Sequence, residues 1–470
     1  MRRPSGARSD RATPGDPTSR RCRSRRPADR RPQGHRTRSS PGPRRPAASS
    51  RPATPSRACP RARSGRSRRG RAEHRHLPRV RTGSGGRATV RARRTPTDRE
   101  LGTRRVRPGV PADERVTHDA SLEGAVRLLL AEARARATDR MGRRPADLVT
   151  IGLDDRETLA AIEVLEAVGA RTFDDAVPRP VPSPDTIRRA DPGAALLADA
   201  RVVLLRLPKS LAALEELSGL VRTHARPDAI LLGTARTKHL SPGANGVLAA
   251  DFASVSASLG RWKSRVLVAE GARPGPPARS FPLREHVGEL GFDVVAHGGA
   301  FAGPRLDLGT RVLLDVLDRA TVETDAVGTV LDLGCGTGVL ATSIARRRPS
   351  AEIIASDRSW AASASARATV DAAGVGARVT VRQEDAAAGV PDTSVDLVLL
   401  NPPFHEGHAV EERLADRLFE AAARVLRPGG RLLTVYNSHL RHRAALERIV
   451  GRTSQLERTS KFTVTSSVRR

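Results

Sequence analysis

The sequence predicts an α/β protein in which two doubly wound units follow one another behind an arginine-rich leader. Three observations predict it. Short apolar β-like runs alternate with helical stretches from about Ser121 to the C-terminus, the pattern of a parallel sheet with helices on both faces. Several short segments of the first half are echoed in the second, in the same order. The charge is confined to one end: of 82 Lys and Arg and 51 Asp and Glu, residues 1–110 hold 34 Arg and only 6 acids, leaving 48 basic and 45 acidic residues in 111–470. The net charge of +31 therefore belongs to the leader and not to the folded body.

The leader, 1–114, is Arg, Pro, Ser, Gly and Ala, and the first aromatic residue of the chain is Phe173. Such a composition cannot bury enough apolar area to offset the entropy of ordering the backbone, so disorder is expected. An arm for phosphate backbones is one reading. A solvated tail, or an upstream reading frame entered from too early a start codon, is preferred, because 78 Arg against four Lys point to GC-rich coding.

From about Ser121 the pattern changes. Leu122, Val126, Leu129 and Leu130 recur at helical spacing. Asp147–Ile151 reads as a strand, Thr158–Val168 as a helix, Arg201–Leu205 as a strand, Ser210–Arg222 as a helix and Ala229–Gly233 as a strand. Residues 115–270 form the first unit, and 271–280, with three Pro and two Gly in Gly271–Ala278, form a linker. Residues 281–470 form the second unit. There Arg311–Leu317 is a helix, Thr329–Leu333 a strand, Val339–Arg347 a helix, Glu352–Ser356 a strand and Ala361–Ala373 a helix. Val379–Arg382 and Val395–Leu400 are strands, and Glu411–Leu426 is a helix. Pro428-Gly429-Gly430 turns into strand Arg431–Tyr436, and Phe462–Val468 is a last strand.

The repeats align Val149-Thr150-Ile151-Gly152 with Leu331-Asp332-Leu333-Gly334. Asp174 and Asp357 then lie 22 and 23 residues beyond their glycines. Val203–Lys209 parallels Val398–Phe404, and Lys238-His239-Leu240 parallels Ser438-His439-Leu440. Duplication accounts for this order. The first copy lacks the glycines and the Asn-Pro-Pro of the second, so it is expected to be chemically silent.

No stretch approaches the 18 or so apolar residues a membrane helix needs, and no apolar segment follows Arg2 and Arg3 to make a secretory signal. Cys22, Cys59 and Cys335 share no metal-ligand spacing, and the pair His405 and His408 with Glu406 lacks a third ligand, so no metal is expected. A cytoplasmic monomer is expected, with no membrane partner.

The strongest motif is Gly334-Cys335-Gly336-Thr337-Gly338, between a strand and a helix. Glycines there let the backbone turn tightly and approach a ligand, and the helix N-terminus favours an anionic group. Asp357, 19 residues past Gly338 at the end of the next strand, can accept hydrogen bonds from both ribose hydroxyls. The second motif, Asn401-Pro402-Pro403-Phe404, follows the fourth strand at the carboxyl end of the sheet. The Asn401 amide oxygen and the Pro402 carbonyl can each accept an N–H from an exocyclic amine, Pro403 stiffens the loop, and Phe404 offers a face for a base to stack on.

Leu331-Asp332-Leu333-Gly334-Cys335-Gly336-Thr337-Gly338 resembles the motif of class I S-adenosylmethionine (SAM)-dependent methyltransferases. That resemblance implies a Rossmann-like fold and SAM as cofactor. It also implies support of the loop and the methionine amine by Asp332, a small loop residue at Cys335, and adenine held near Glu384-Asp385-Ala386, with Asp385 and Ala386 as its residues. Asn401–Phe404 extended by His405-Glu406-Gly407-His408, together with Asn437-Ser438-His439-Leu440, Ser460-Lys461-Phe462, Gly299-Ala300-Phe301 and Arg305–Thr310, resembles the ribosomal RNA guanine-N2 methyltransferases of the small- and large-subunit type. Those enzymes carry a degenerate N-terminal copy of the fold. The resemblance implies methyl transfer to guanine N2, with ribosomal RNA or a ribosomal subunit as partner. Asn-Pro-Pro-aromatic also serves adenine N6 and protein glutamine, and an inactive RNA-binding assembly factor is a further class; intact Gly334, Gly336, Gly338, Asp357 and Asn401 argue against the last.

Overall fold

The structure is a computed structural model, and it describes residues 122–140, 144, 147–177, 185–319, 328–402 and 408–470. The expected disorder of the leader lies outside the described residues. Two seven-stranded sheets organise the rest.

The first sheet contains β1 (Leu148–Ile151), β2 (Ala170–Phe173), β3 (Ile187–Arg189), β4 (Val202–Arg206), β5 (Ile230–Arg236), β6 (Phe252–Ala257) and β7 (Ser264–Ala272), in the order β3-β2-β1-β4-β5-β7-β6. Its helices are α1 (Gly124–Ala137), α2 (Asp155–Val164), the one-turn α3 (Ala194–Leu197), α4 (Leu211–His224) and α5 (Ala244–Asp251). A hairpin, β8 (Leu283–Val287) and β9 (Phe292–Ala296), comes next. The second sheet contains β10 (Thr329–Leu333), β11 (Glu352–Asp357), β12 (Val379–Gln383), β13 (Val395–Leu400), β14 (Leu426–Asn437), β15 (Thr453–Arg458) and β16 (Phe462–Val468). Its order, β12-β11-β10-β13-β14-β16-β15, repeats that of the first. Its helices are α6 (Leu308–Arg319), α7 (Val339–Arg347), α8 (Trp360–Ala372), α9 (His408–Val425) and α10 (His442–Ile449).

Both sheets are mixed, which corrects the expectation of a parallel sheet. The last pairs, β5 with β7 and β14 with β16, are antiparallel, as are β6 with β7 and β15 with β16. Alternating side chains of one strand enter two different cores, as a period of two requires. In β4, Val202 and Leu204 join the core beneath α1 and α2, while Val203 and Leu205 join the core with α4 and α5. Burial on both faces explains why the central strands read as unbroken apolar runs.

Local chemistry sets the helix starts. Asp154 and Glu157 form a reciprocal capping box, Glu157 N–H to Asp154 at 2.8 Å and Asp154 N–H to Glu157 at 3.0 Å. Ser210 and Ser359 accept from the third residue of α4 and α8, at 3.3 and 3.1 Å. Two boundaries differ from expectation. Gly271 and Ala272, the start of the expected linker, complete β7 against Phe252. Pro428–Gly430 does not precede β14 but bulges within it, since Val395 pairs with Leu426 and Leu397 already with Arg431.

Candidate active site

The site forms at the carboxyl end of the second sheet, where β10 and β13 separate from their loops. Leu331 and Leu333 anchor β10 in the core, and the chain leaves it through Gly334, Gly336 and Gly338, all at positive φ (74°, 53° and 75°). Only glycine takes such angles without strain. A Cβ on Gly338 would stand 2.9 Å from the Ala366 Cα, so α7 and α8 can approach only with glycine there. At Gly334 and Gly336 a Cβ would meet nothing within 4 Å, because both face a cavity.

That cavity holds about 350 Å³, within the usual range for small-molecule sites. Gly334 and Cys335 donate to the Ser356 carbonyl at 2.8 and 3.0 Å, tying the glycine loop to β11. Gly336 N–H donates to Asp357 Oδ2 at 3.0 Å and Ser359 N–H to Oδ1 at 2.9 Å, so both carboxylate oxygens are aimed from the backbone. Each retains lone-pair capacity toward the cavity. Burial raises the Asp357 carboxyl above its ordinary range, and the neighbouring Asp175 adds to this. Two buried oxygens at the cavity wall, Ser356 Oγ and Glu384 Oε1, have no hydrogen-bond partner. Such oxygens suit a polar ligand.

The expected cofactor residues fall in two groups. Gly334, Cys335, Gly336, Asp357, Asp385 and Ala386 line the cavity. Asp385 is also paired with Arg417 at 2.5 Å, and Ala386 sits at φ 49°. Asp332 and Gly338 stand behind the wall. Asp332 is 1 % exposed and accepts the Ala341 N–H at 2.9 Å, bracing α7 against β10. Burial pushes its carboxyl up to about 7, with the Asp357 charge adding to the rise. Burial likewise raises the Cys335 thiol, which keeps it protonated and unreactive.

Asn401 succeeds β13 and lines the same cavity. Its amide nitrogen donates to Asp307 Oδ2 at 2.9 Å and to Thr310 Oγ1 at 3.0 Å. Thr310 N–H returns to Asp307 Oδ2 at 3.0 Å. Both amide protons are thereby spent, which fixes the amide's orientation and leaves its oxygen as the group offered to a ligand. Pro402 is buried beside it and also lines the cavity. Pro403 and Phe404, with His405, Glu406 and Gly407, lie outside the described residues.

The sequence reading did not single out Asp307 and Thr310 as site residues, although both stand in the quoted stretch Arg305–Thr310. Asn437 and Phe462 also line the cavity. Ser438 is engaged within the fold, 2.9 Å from Thr463 Oγ1. Among the described residues no group of three His, Cys, Asp or Glu is placed to hold a metal ion.

In the first sheet the place beside the equivalent glycine turn is filled, while a separate cavity of about 370 Å³ opens beside Asp174. Gly152 has φ 69° and donates to the Phe173 carbonyl at 2.8 Å, as Gly334 does to Ser356. Arg206 occupies the position of Asn401, coming after Leu205 as Asn401 comes after Leu400 in the strand register. Its guanidinium donates to the Gly152 carbonyl at 3.0 Å, to Glu123 at 2.7 Å and to the buried Glu157 at 2.8 Å. A Cβ on Gly152 would meet Arg206 at 3.3 Å, where the second copy has open space.

Two family models match different parts of the chain. The methyltransferase small domain family matches residues 291–466, and the RLMG N-terminal domain family matches residues 182–273. A solved T. thermophilus 16S rRNA N2 methyltransferase, in complex with AdoMet and guanosine, shares the fold with a TM-score of 0.58 at 19% identity, over 75% of this chain and 93% of that one. The protein named ribosomal RNA large subunit methyltransferase G of Ectopseudomonas mendocina is 38% identical over 56% of this chain and 69% of its own length. Its namesake in Streptomyces coelicolor is 39% identical over 57% of this chain and 72% of its own. With that identity over that share of its relatives, the chain belongs to the ribosomal RNA large subunit methyltransferase G family.

Proposed function

We propose that this protein transfers a methyl group from SAM to the exocyclic N2 amine of a guanine in large-subunit ribosomal RNA. The observation that carries this reading is the hydrogen bonding of Asn401: Asp307 and Thr310 take both amide protons, which leaves the oxygen as the acceptor of a residue lining the same cavity as the glycine loop. The cavity fits SAM in size, in its glycine cradle and in its unpaired buried oxygens. Asp357 would receive the ribose hydroxyls, the glycine loop the amino-acid end, and the Glu384–Ala386 segment the adenine. When bound, SAM supplies an activated methyl group on a sulfonium.

The residues of the chain do the rest. An exocyclic amine is a poor nucleophile because its lone pair is delocalised into the ring. The Asn401 oxygen and the Pro402 carbonyl hold its two N–H groups, turning the lone pair out of the ring plane and toward the methyl carbon. Asp307, accepting from the Asn401 amide, polarises it and strengthens its oxygen as an acceptor. As nitrogen bonds to the methyl carbon, in exchange for that carbon's bond to sulfur, whose electron pair stays on sulfur, the nitrogen becomes acidic and its surplus proton passes to solvent. Rate enhancement then comes from alignment and oriented dipoles and needs no charged base. Phe404 is proposed to stack on the target base.

The relatives' names favour RNA over protein glutamine, and the guanosine in the T. thermophilus complex favours guanine over adenine N6. No helix among the described residues is long and apolar enough to cross a membrane. We place the reaction in the cytoplasm, carried out by a monomer on ribosomal RNA or a ribosomal subunit, with a silent domain from 115 to the end of β7 at Ala272, joined through 273–280 to a catalytic domain, 281–470. Single-turnover methyl transfer to ribosomal RNA at saturating SAM, followed by mass mapping of the modified nucleotide, tests the reading. Methylation at any site other than guanine N2 overturns it.

A further inference from the structure

The two copies touch at their equivalent loops, beside the cofactor crevice. Phe173 pairs with Ile151 as Ser356 pairs with Leu333, so Asp174, Asp175, Ala176 and Val177 correspond to Asp357, Arg358, Ser359 and Trp360. Ala176 forms an antiparallel bridge with Ser359, its own counterpart. Val177 N–H donates to the Arg358 carbonyl at 2.9 Å, and Trp360 N–H to the Asp175 carbonyl at 2.7 Å. Exchanging the copies turns each of these bonds into the other.

Side chains break that symmetry in favour of the second copy. Asp175 Oδ1 accepts the Ala361 N–H at 2.8 Å. The first N–H groups of a helix have no partner within it. In α8, Trp360 and Ala361 find theirs on Asp175, while Ala362 turns to Ser359. The Asp175 carboxylate also meets the positive end of the helix dipole. The Trp360 ring packs between Phe173 of the first copy and His297, with centroids 5.6 and 4.8 Å away. Ser359, held by this clamp, gives its N–H to Asp357 Oδ1.

We infer that the Asp174–Val177 loop of the silent copy is a positioning element for the cofactor site, in which Asp175 holds the start of α8 and, through Ser359, aims the Asp357 carboxylate. This rests on the reading that the crevice takes SAM. The silent copy thereby contributes to cofactor affinity without touching the cofactor. Asp175 is a positioning residue, and its effect belongs to SAM binding and not to the transfer step.

The test is SAM calorimetry on the full chain, with single-turnover methylation over a range of SAM concentrations. Asp175→Ala should weaken SAM binding about tenfold, the usual cost of one hydrogen bond to a charged group, and raise the SAM concentration for half-maximal rate by the same factor. The rate at saturating SAM should be retained. Asp175→Asn keeps the acceptor oxygen and should restore affinity to within about twofold of wild type. Val177→Pro removes one N–H of the clamp and should weaken SAM binding in the same direction, which serves if Asp175→Ala does not fold. Wild-type affinity in folded Asp175→Ala or Val177→Pro, beside a wild type that binds SAM, overturns the inference alone. A wild type that binds no SAM overturns the cofactor reading and the inference with it.

Discussion

The two sheets share strand order, the turn after the first strand and the acidic residue after the second, yet beside the glycine turn one keeps an open cavity and the other an ion-pair cluster. The difference turns on the residue one step past Leu205 in the first sheet and past Leu400 in the second. Asn401 is short and neutral, and is held back against Asp307 and Thr310. Arg206 is long and cationic; it crosses to Gly152 and recruits Glu123 and Glu157. Topology places a crevice at the strand ends, but the crevice binds a ligand only when side chains leave it empty and its polar atoms unpaired.

The strongest way to break the comparison is to disable the open copy. Asn401→Ala should lower the single-turnover rate at saturating SAM about 100-fold, the typical loss for a preorganised polar group that acts in the transition state. SAM affinity should stay near wild type by calorimetry. Asp307→Ala should fall between Asn401→Ala and wild type, because the amide keeps Thr310 as a partner.

Next in size is the pair of equivalent carboxylates. Asp357→Ala should weaken SAM binding by about 1.5–3 kcal/mol, and Asp174→Ala should leave the stoichiometry at one SAM per chain. Two SAM molecules per wild-type chain would contradict the closed state of the first crevice. Arg206→Ala should destabilise the protein by about 2 kcal/mol in denaturant unfolding, since the buried Glu157 loses its charge partner. It should not create a second SAM site, because no open glycine loop extends beyond Gly152.

A pH-dependent effect carries a sign. Asp332 has a folded-state carboxyl raised to about 7 by burial. Below about pH 4 the carboxyl is protonated in both states and costs nothing. Between that point and about 7 the unfolded chain releases its proton and the folded one keeps it, so stability falls as pH rises. Without SAM, Asp332→Asn should therefore be more stable than wild type at pH 8 and lose that advantage as the pH falls to 4. Thermal unfolding across this range measures the difference.

Much of the second sheet was legible. Thr329–Leu333, Val339–Arg347, Val395–Leu400 and Phe462–Val468 stand where apolar periodicity put them, because each is buried along its length or on one clear face. β2 and β3 were not read: they are four and three residues long, and polar Arg171, Arg188 and Arg189 interrupt their pattern. β6 through β9 and α10 were also missed, and pairing direction is not encoded in a strand's own alternation, so the antiparallel edges were invisible. Gly334, Cys335, Gly336 and Asp357, which line one cavity, could be picked out because a local motif declares them. Asp307 lies 94 residues before Asn401, and only the fold brings the two together.

The reciprocal contact between Ala176 and Ser359 has a consequence for assembly. Two identical subunits that meet through the same patch form a closed pair, because each patch is consumed by its counterpart. Here both partners lie on one chain, so the pairing is intramolecular and its effective concentration is set by the connecting segment and not by how much protein is present. Dilution that would separate a dimer leaves this pair intact, and its loop edges are already spent when a second molecule arrives.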